Sequence, residues 1–257
     1  MAHRDQPSGP VQSIDRAFDI LEKVGELENA GVTELAQELD LPKSTIHNQL
    51  KTLEKQGYLI NNNGDYELGL KLLFLGETAR KKKEGYILIE SKVKELAERT
   101  GERAQFLVEE QLHAIHIYTK IGKNGIDTGA DVGTRRQDLH ATAAGKVILS
   151  NISEDRVEEF FSTVDLKNIT DNTIVDKSKL KKEIKKTRQR GYSFNDEESI
   201  SGFRAVGVPI QHPNGEFYGA LSVSGPTHRM KNEKYESEIP DLLLGISNEI
   251  ELNMLQI

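Results

Sequence analysis

A change of period before residue 70 constrains this chain most. From Ser13 to Gln56 the apolar residues keep helical spacing in three successive runs, and beyond Gly57 they take the pattern of a hairpin. The first run places Ile14, Ala17, Phe18, Leu21 and Val24 on one stripe, widened by Ile20, with Ser13 positioned to cap it. Gly31 separates it from a second helix, about 33–39, which turns Leu35, Ala36 and Leu39 inward. Asp40, Leu41 and Pro42 form a short turn. Pro42 suits a helix entry, where a backbone N–H would lack a partner anyway. The third helix, about 43–56, buries Ile46, Leu50 and Leu53 and stops at Gly57. Tyr58-Leu59-Ile60 and Asp65–Leu68 then flank Asn63-Gly64, a pair in which both residues tolerate positive φ. Three helices, a short turn between the last two and a hairpin predict a winged helix-turn-helix over residues 1–68.

The remainder reads as a second module. Residues 69–84 predict a linking helix, packed at its start through Leu70, Leu72, Leu73, Leu75 and Ala79 and solvated at its end, Arg80–Lys83. Helices follow at about 86–99, 140–150, 153–161 (capped by Ser153), 178–190 and 234–255. Strands are expected at 106–108, 114–118, 205–210 and 217–223, with a polar loop at 130–137. Antiparallel strands with helices at one side make residues 85–257 an α+β sensing domain. At roughly 150 residues per domain, two domains is also what the length suggests. Residues 1–12 read as a flexible arm.

Composition narrows the function classes. The chain has no Cys, which excludes disulfides, thiolate metal sites and Cys nucleophiles. No run of 18 apolar residues spans a membrane and residues 1–9 lack the apolar core of a secretory signal, so a soluble, cytoplasmic protein is expected. The net charge of −7 argues against nucleic-acid binding by bulk charge. Residues 1–80 hold eight basic and thirteen acidic side chains, yet 43–56 hold Lys43, Lys51 and Lys55 against Glu54 alone. Positive charge is thus focused on the third helix. Its outward residues, Lys43, Ser44, Thr45, His47, Asn48, Lys51 and Thr52, are types that reach base edges or phosphates. Asn62, in the Asn61–Asn63 wing, is a further candidate for a groove contact or simply a turn former. The same polar face also suits a solvated, protein-docking winged helix.

Five further segments occur in a telling order: Val11-Gln12-Ser13-Ile14-Asp15-Arg16-Ala17, Leu41-Pro42-Lys43-Ser44-Thr45, Leu139-His140-Ala141-Thr142-Ala143-Ala144-Gly145-Lys146, Gly191–Glu198 with Gly202-Phe203-Arg204-Ala205, and Ala220–Pro226. Through them the chain resembles an IclR-family transcriptional regulator over nearly its full length. The acidic, Cys-free style and Leu242-Leu243-Leu244-Gly245 resemble archaeal members most. The resemblance implies a GAF-like effector domain, a homodimer or dimer of dimers, a palindromic double-stranded DNA operator and a small-molecule effector, often a carboxylate or an aromatic catabolite. No cofactor is expected. The resemblance also places effector contacts on Ala143, Ala144, Asn195, Ala205, Ser222 and Ser224. Two of these, Ser222 and Ser224, are two apart on a strand and so share a face. Some relatives carry Asp where this chain has Asn195 and Cys where it has Ala205.

Other groupings carry less. His113 and His116, with Glu109 and Glu110 nearby, are three apart on a strand and do not converge on a metal by themselves. Ser222 lies outside a nucleophile-elbow pattern, and residues 129–133 lack a phosphate-loop lysine. Arg204 is expected to pair with Glu197 or Glu198 rather than with a ligand acid, and Arg135 and Arg136 to sit on a solvated loop rather than guide an anion. The reading is an effector-modulated, sequence-specific regulator with no catalytic residues. The alternatives are an architectural DNA binder with a ligand-free oligomerisation domain and a small-molecule enzyme on the GAF-like domain.

Overall fold

A computed structural model describes residues 11–256 apart from 82 and 84. Most of the arm at residues 1–12 and part of the basic stretch Arg80–Lys83 lie outside the described residues. The chain divides into two compact units, Met1–Ala79 and Arg80–Ile257.

In the first unit, α1 (Gln12–Glu26), α2 (Val32–Glu38) and α3 (Lys43–Lys55) enclose a core of Ile20, Val24, Leu35, Ile46, Leu50 and Leu53, joined by Leu59 and Tyr66 of the hairpin. The α2–α3 turn is tight because Asp40 takes a left-handed backbone, φ 50°, and Pro42 follows in the extended conformation that opens α3. The hairpin is β2 (Leu59–Asn62) and β3 (Asp65–Leu68), and its turn residues Asn63 and Gly64 both have positive φ, as that pair favours. A third strand, β1 (Ala30–Gly31), pairs with β3 and was not expected from its two-residue length.

Several details differ from the sequence reading. α1 starts at Gln12 with Val11 at its N-cap, so Ser13 lies inside the first turn. Ile14 and Phe18 are exposed, because the buried face centres on Ala17, Ile20, Leu21 and Val24. The linking helix, α4 (Lys71–Arg80), has no packed start: none of its residues is buried, and Leu70, Leu73 and Phe74 lie in the open.

In the second unit a six-stranded antiparallel sheet runs in the order β6-β5-β4-β9-β8-β7. These strands are β4 (Arg103–Glu110), β5 (His113–Ile121), β6 (Arg135–Arg136), β7 (Ser193–Asp196), β8 (Phe203–Gln211) and β9 (Phe217–Pro226). Helices cover both faces, where helices at one side were expected. On one face α5 (Gly85–Thr100) and α9 (Ile239–Met254) pack Ile89, Val93, Leu243 and Ile246 against Phe106, Val206, Val208, Leu221 and Val223. On the other, α6 (Ala143–Asn151), α7 (Glu154–Thr163) and α8 (Lys177–Arg190) pack Val147, Ile148, Phe160, Leu180 and Ile184 against Leu107, Ala114 and Ala220. The near-continuous apolar runs of β8 and β9 carry this signal, since a strand buried on both faces loses its polar alternation. A bulge at Ile117 lets β5 serve both cores. Tyr118 pairs with Phe106 on the α5 face and His116 with Leu107 on the α6 face.

Candidate functional site

The first candidate surface is α3. Ser44, His47, Asn48 and Lys51 recur at intervals of three and four, and with Lys43 they are exposed over the buried Ile46, Leu50 and Leu53. Thr45 is half-buried at the edge of this face. Thr52 is exposed, but its hydroxyl donates to the Asn48 carbonyl at 2.9 Å. No side chain caps α3, so its first backbone N–H groups are left to an outside acceptor such as a phosphate oxygen. On the wing, Asn61 Oδ1 accepts from the Gly64 N–H at 2.9 Å and the Asn62 amide donates to Glu67 Oε1. Asn62 is therefore exposed but already engaged, beside the carboxylates of Asp65 and Glu67.

The second candidate is a cavity in the other unit, between the start of α6 and the sheet. It is lined by Ala143 and Ala144 of α6, Asn195 of β7, Ala205 of β8 and Ser222 and Ser224 of β9, so all six residues expected at the effector contact meet there. Strand register explains the meeting. Arg103, Ser224, Ala205 and Asn195 form one row across β4, β9, β8 and β7, and Gln105, Ser222 and Gly207 form part of the next. Gly207 admits the helix: a Cβ there would lie 3.1 Å from backbone atoms of Ala143 and Ala144. Thr142 caps α6 by accepting from the Gly145 N–H at 2.9 Å, which leaves the N–H groups of Ala143 and Ala144 without intrahelical acceptors. Ser222 accepts from Gln105 Nε2 at 3.0 Å. Asn195 is held by its own turn, accepting from the Glu198 N–H and donating to Ser199. The space is about 50 Å³, where one water needs roughly 10–15 Å³.

Arg103 and His116, which the sequence reading missed, form the opposite side of this cavity together with Arg136, which it weighed as an anion guide. Arg136 lies on the edge strand β6 and not on a solvated loop, and its guanidinium makes two hydrogen bonds to Asp138, at 2.9 and 2.5 Å. Those bonds and the Arg136 charge outweigh burial and hold the Asp138 carboxyl below its usual range. Arg103 is buried, donates to Thr128 Oγ1 and the Ala130 carbonyl, and leaves Nε without a partner. His116 is buried with both ring nitrogens unpartnered. Burial, reinforced by the Arg103 and Arg136 charges, pushes its imidazole down to about 4. No local signal in the sequence marks this side: a buried histidine opposite Leu107 is visible only once the pairing register and the Ile117 bulge are known.

Arg204 pairs with Asp196 at 2.6 Å, not with Glu197 or Glu198, because Asp196 stands opposite it on β7. Glu198 instead meets Lys146 in the interior at 2.5 Å. His113 is turned away from His116, with Nδ1 at 2.7 Å from the Gln111 carbonyl. Among the described residues no cluster of His, Asp and Glu has the makings of a metal site, and no helix is long and apolar enough to cross a membrane.

His116 makes stability depend on pH. The unfolded imidazole binds a proton near pH 6.5 and the folded one only near 4, so the unfolded chain holds the extra proton between those values. Stability is fully present above pH 6.5 and falls as the pH drops, by about 3 kcal/mol at pH 4. Urea midpoints from pH 7 to 4 should show this loss in the wild type, and His116→Gln should flatten it. Identical slopes in the two proteins would contradict the assignment.

Comparison with known proteins places both units. A model of the "IclR helix-turn-helix domain" matches residues 13–61, and one described as "Bacterial transcriptional regulator IclR C-terminal" matches residues 86–251. The chain is 31% identical over 248 residues to a probable HTH-type transcriptional regulator, ArcR, of Halobacterium salinarum, covering 95% of this chain and 94% of that one. It is 30% identical to the acetate operon repressor of Salmonella typhimurium, covering 95% and 90%. The crystal structure of Thermotoga maritima IclR superposes with a TM-score of 0.78 at 28% identity, covering 95% and 98%. A homologue from Microbacterium hydrocarbonoxydans, solved with 4-hydroxybenzoate, has the same fold, with a TM-score of 0.79 at 19% identity and 95% and 100% coverage.

Proposed function

The chain belongs to the IclR family of transcriptional regulators, and we propose how this member divides the work along its sequence. Sequence-specific DNA binding modulated by an effector is its function, and the proteins it matches are regulators rather than enzymes. In our reading residues 1–68 meet DNA, 69–84 link, and 85–257 form a GAF-like unit that takes the effector and assembles the chain. The single observation that carries the DNA reading is the exposed face of α3, which runs from an uncapped N-terminus at Ser44 through Asn48 to Lys51. Asn48 is assigned to a base edge and Lys51 to phosphate. Lys43, Ser44, Thr45, His47 and Thr52 frame that contact, and Asn62 sits at its margin.

The effector is read as a small organic acid. Free N–H groups at the start of α6, two serines and the lack of any lining carboxylate favour an anion. That a homologue is bound to 4-hydroxybenzoate supports the class. A homodimer or dimer of dimers on a palindromic operator would set half-sites about 34 Å apart or a multiple of that. Exposed Val11, Ile14, Phe18, Leu70, Leu73 and Phe74 leave apolar surface in the first unit for a second copy. The archaeal likeness rests only on composition and on Leu242–Gly245, and relatives such as the acetate operon repressor of Salmonella typhimurium are bacterial.

Titrating operator and random DNA at fixed salt tests the α3 assignment. Asn48→Ala should narrow the gap between the two DNAs by ~1–3 kcal/mol. Lys51→Ala should weaken both alike and lower the salt slope by about one. Equal losses of specificity in the two variants would overturn it.

A further inference from the structure

We propose that the Arg103–His116 side of the effector cavity is a second anion site, and that the effector is a small dicarboxylate held between it and the α6–serine side. The inference rests on the effector reading above and specifies its ligand. Three arginines and one histidine line the cavity, with no carboxylate among them. Arg136 is already matched by Asp138 and Arg204 by Asp196. Arg103 is different. It is buried, it is bound only to a hydroxyl and a carbonyl, and Asp127 and Asp131 act on it from beyond ion-pair contact. A buried charge is costly unless an opposite charge meets it. Buried polar atoms are nearly always paired, yet Arg103 Nε and both His116 nitrogens have no partner. All three belong to residues lining this one cavity.

Geometry separates the two ends. Arg103 lies on β4, while the α6 start rests over Gly207 on β8, two strands away. Two strand spacings are about 10 Å between backbones. Hydrogen-bond contacts of about 3 Å at each end leave a gap of a few ångströms, the span of a short diacid. One carboxylate has two oxygens, and the Ala143 and Ala144 N–H groups with the serine hydroxyls suffice to engage them. The far end then needs an anion of its own. Arg103 Nε would donate to it, and a neutral His116 would add one N–H.

Calorimetric titration of the full chain with matched acids tests this: succinate against butyrate and glutarate against pentanoate. The wild type should prefer the diacid by about 10- to 100-fold, the worth of one charge-assisted contact. Arg103→Gln should erase most of that preference while keeping monoacid affinity, and His116→Gln should reduce it in part. If Arg103→Gln does not fold, the wild-type ratio and His116→Gln still decide. Monoacids binding as tightly as diacids, or a preference unchanged in both variants, would overturn the second site and leave the effector reading intact provided Ser222→Ala with Ser224→Ala weakens the monoacid. No binding of any acid by the wild type would remove both.

Discussion

Replacing Lys146 with methionine is expected to destabilise the effector unit by about 3–5 kcal/mol, the cost of breaking a buried ion pair from one side. Lys146 lies on α6 with its side chain 2% exposed, and Glu198 lies in the turn after β7 at 8%. Their contact of 2.5 Å joins the helix that starts the cavity to the turn that holds Asn195. The same turn is tied down by Thr170 and Thr173, whose hydroxyls donate to backbone carbonyls there. Burial already pushes the Glu198 carboxyl upward against the pull of Lys146, and its Oε2 has no partner. Without the lysine, Glu198 should take up a proton rather than remain an isolated buried anion. Urea denaturation of Lys146→Met measures the loss, and adding Glu198→Leu should recover much of it. A loss below about 1 kcal/mol would mean that the pair behaves as an exposed one.

Leu50→Ala is expected to cost the DNA-reading unit about 2–5 kcal/mol, because Leu50 is fully buried and a cavity would remain. A unit of fewer than 80 residues holds only a few kcal/mol in reserve. The substitution should therefore melt that unit early and abolish operator binding, while the effector unit keeps its own transition. Calorimetry of the full chain separates the two events. A single transition displaced as a whole would show that the units unfold together and contradict the division.

Local signals made the first unit readable. Helix-period stripes, Pro42 and Asn63-Gly64 each act within a few residues, and α3 and the hairpin fall where those signals place them. Exposure was legible only where a face has one partner. Phe18 and, on α4, Leu73 and Leu75 look like core by spacing, yet no neighbour within the first unit covers them. In the second unit the six effector positions came from resemblance, and register explains their company: Ser224, Ala205 and Asn195 are consecutive partners in one row. The cationic side stayed hidden for the same reason. Arg103 belongs to that row through β4, and His116 joins the cavity only because one extra residue, Ile117, reverses the alternation of β5. Non-local pairing of this kind leaves no local pattern to read. Likewise, the Lys146–Glu198 pair links two segments 52 residues apart.

Reciprocal linkage tests the central claim, that an acid in the α6–sheet cavity governs operator affinity. Operator affinity is measured with and without saturating diacid, and diacid affinity with and without operator, on the same full-length protein. Both should change by one common factor, about 5- to 150-fold, and Ser222→Ala with Ser224→Ala should bring that factor toward one. Diacid that binds tightly yet leaves operator affinity unchanged would contradict the account.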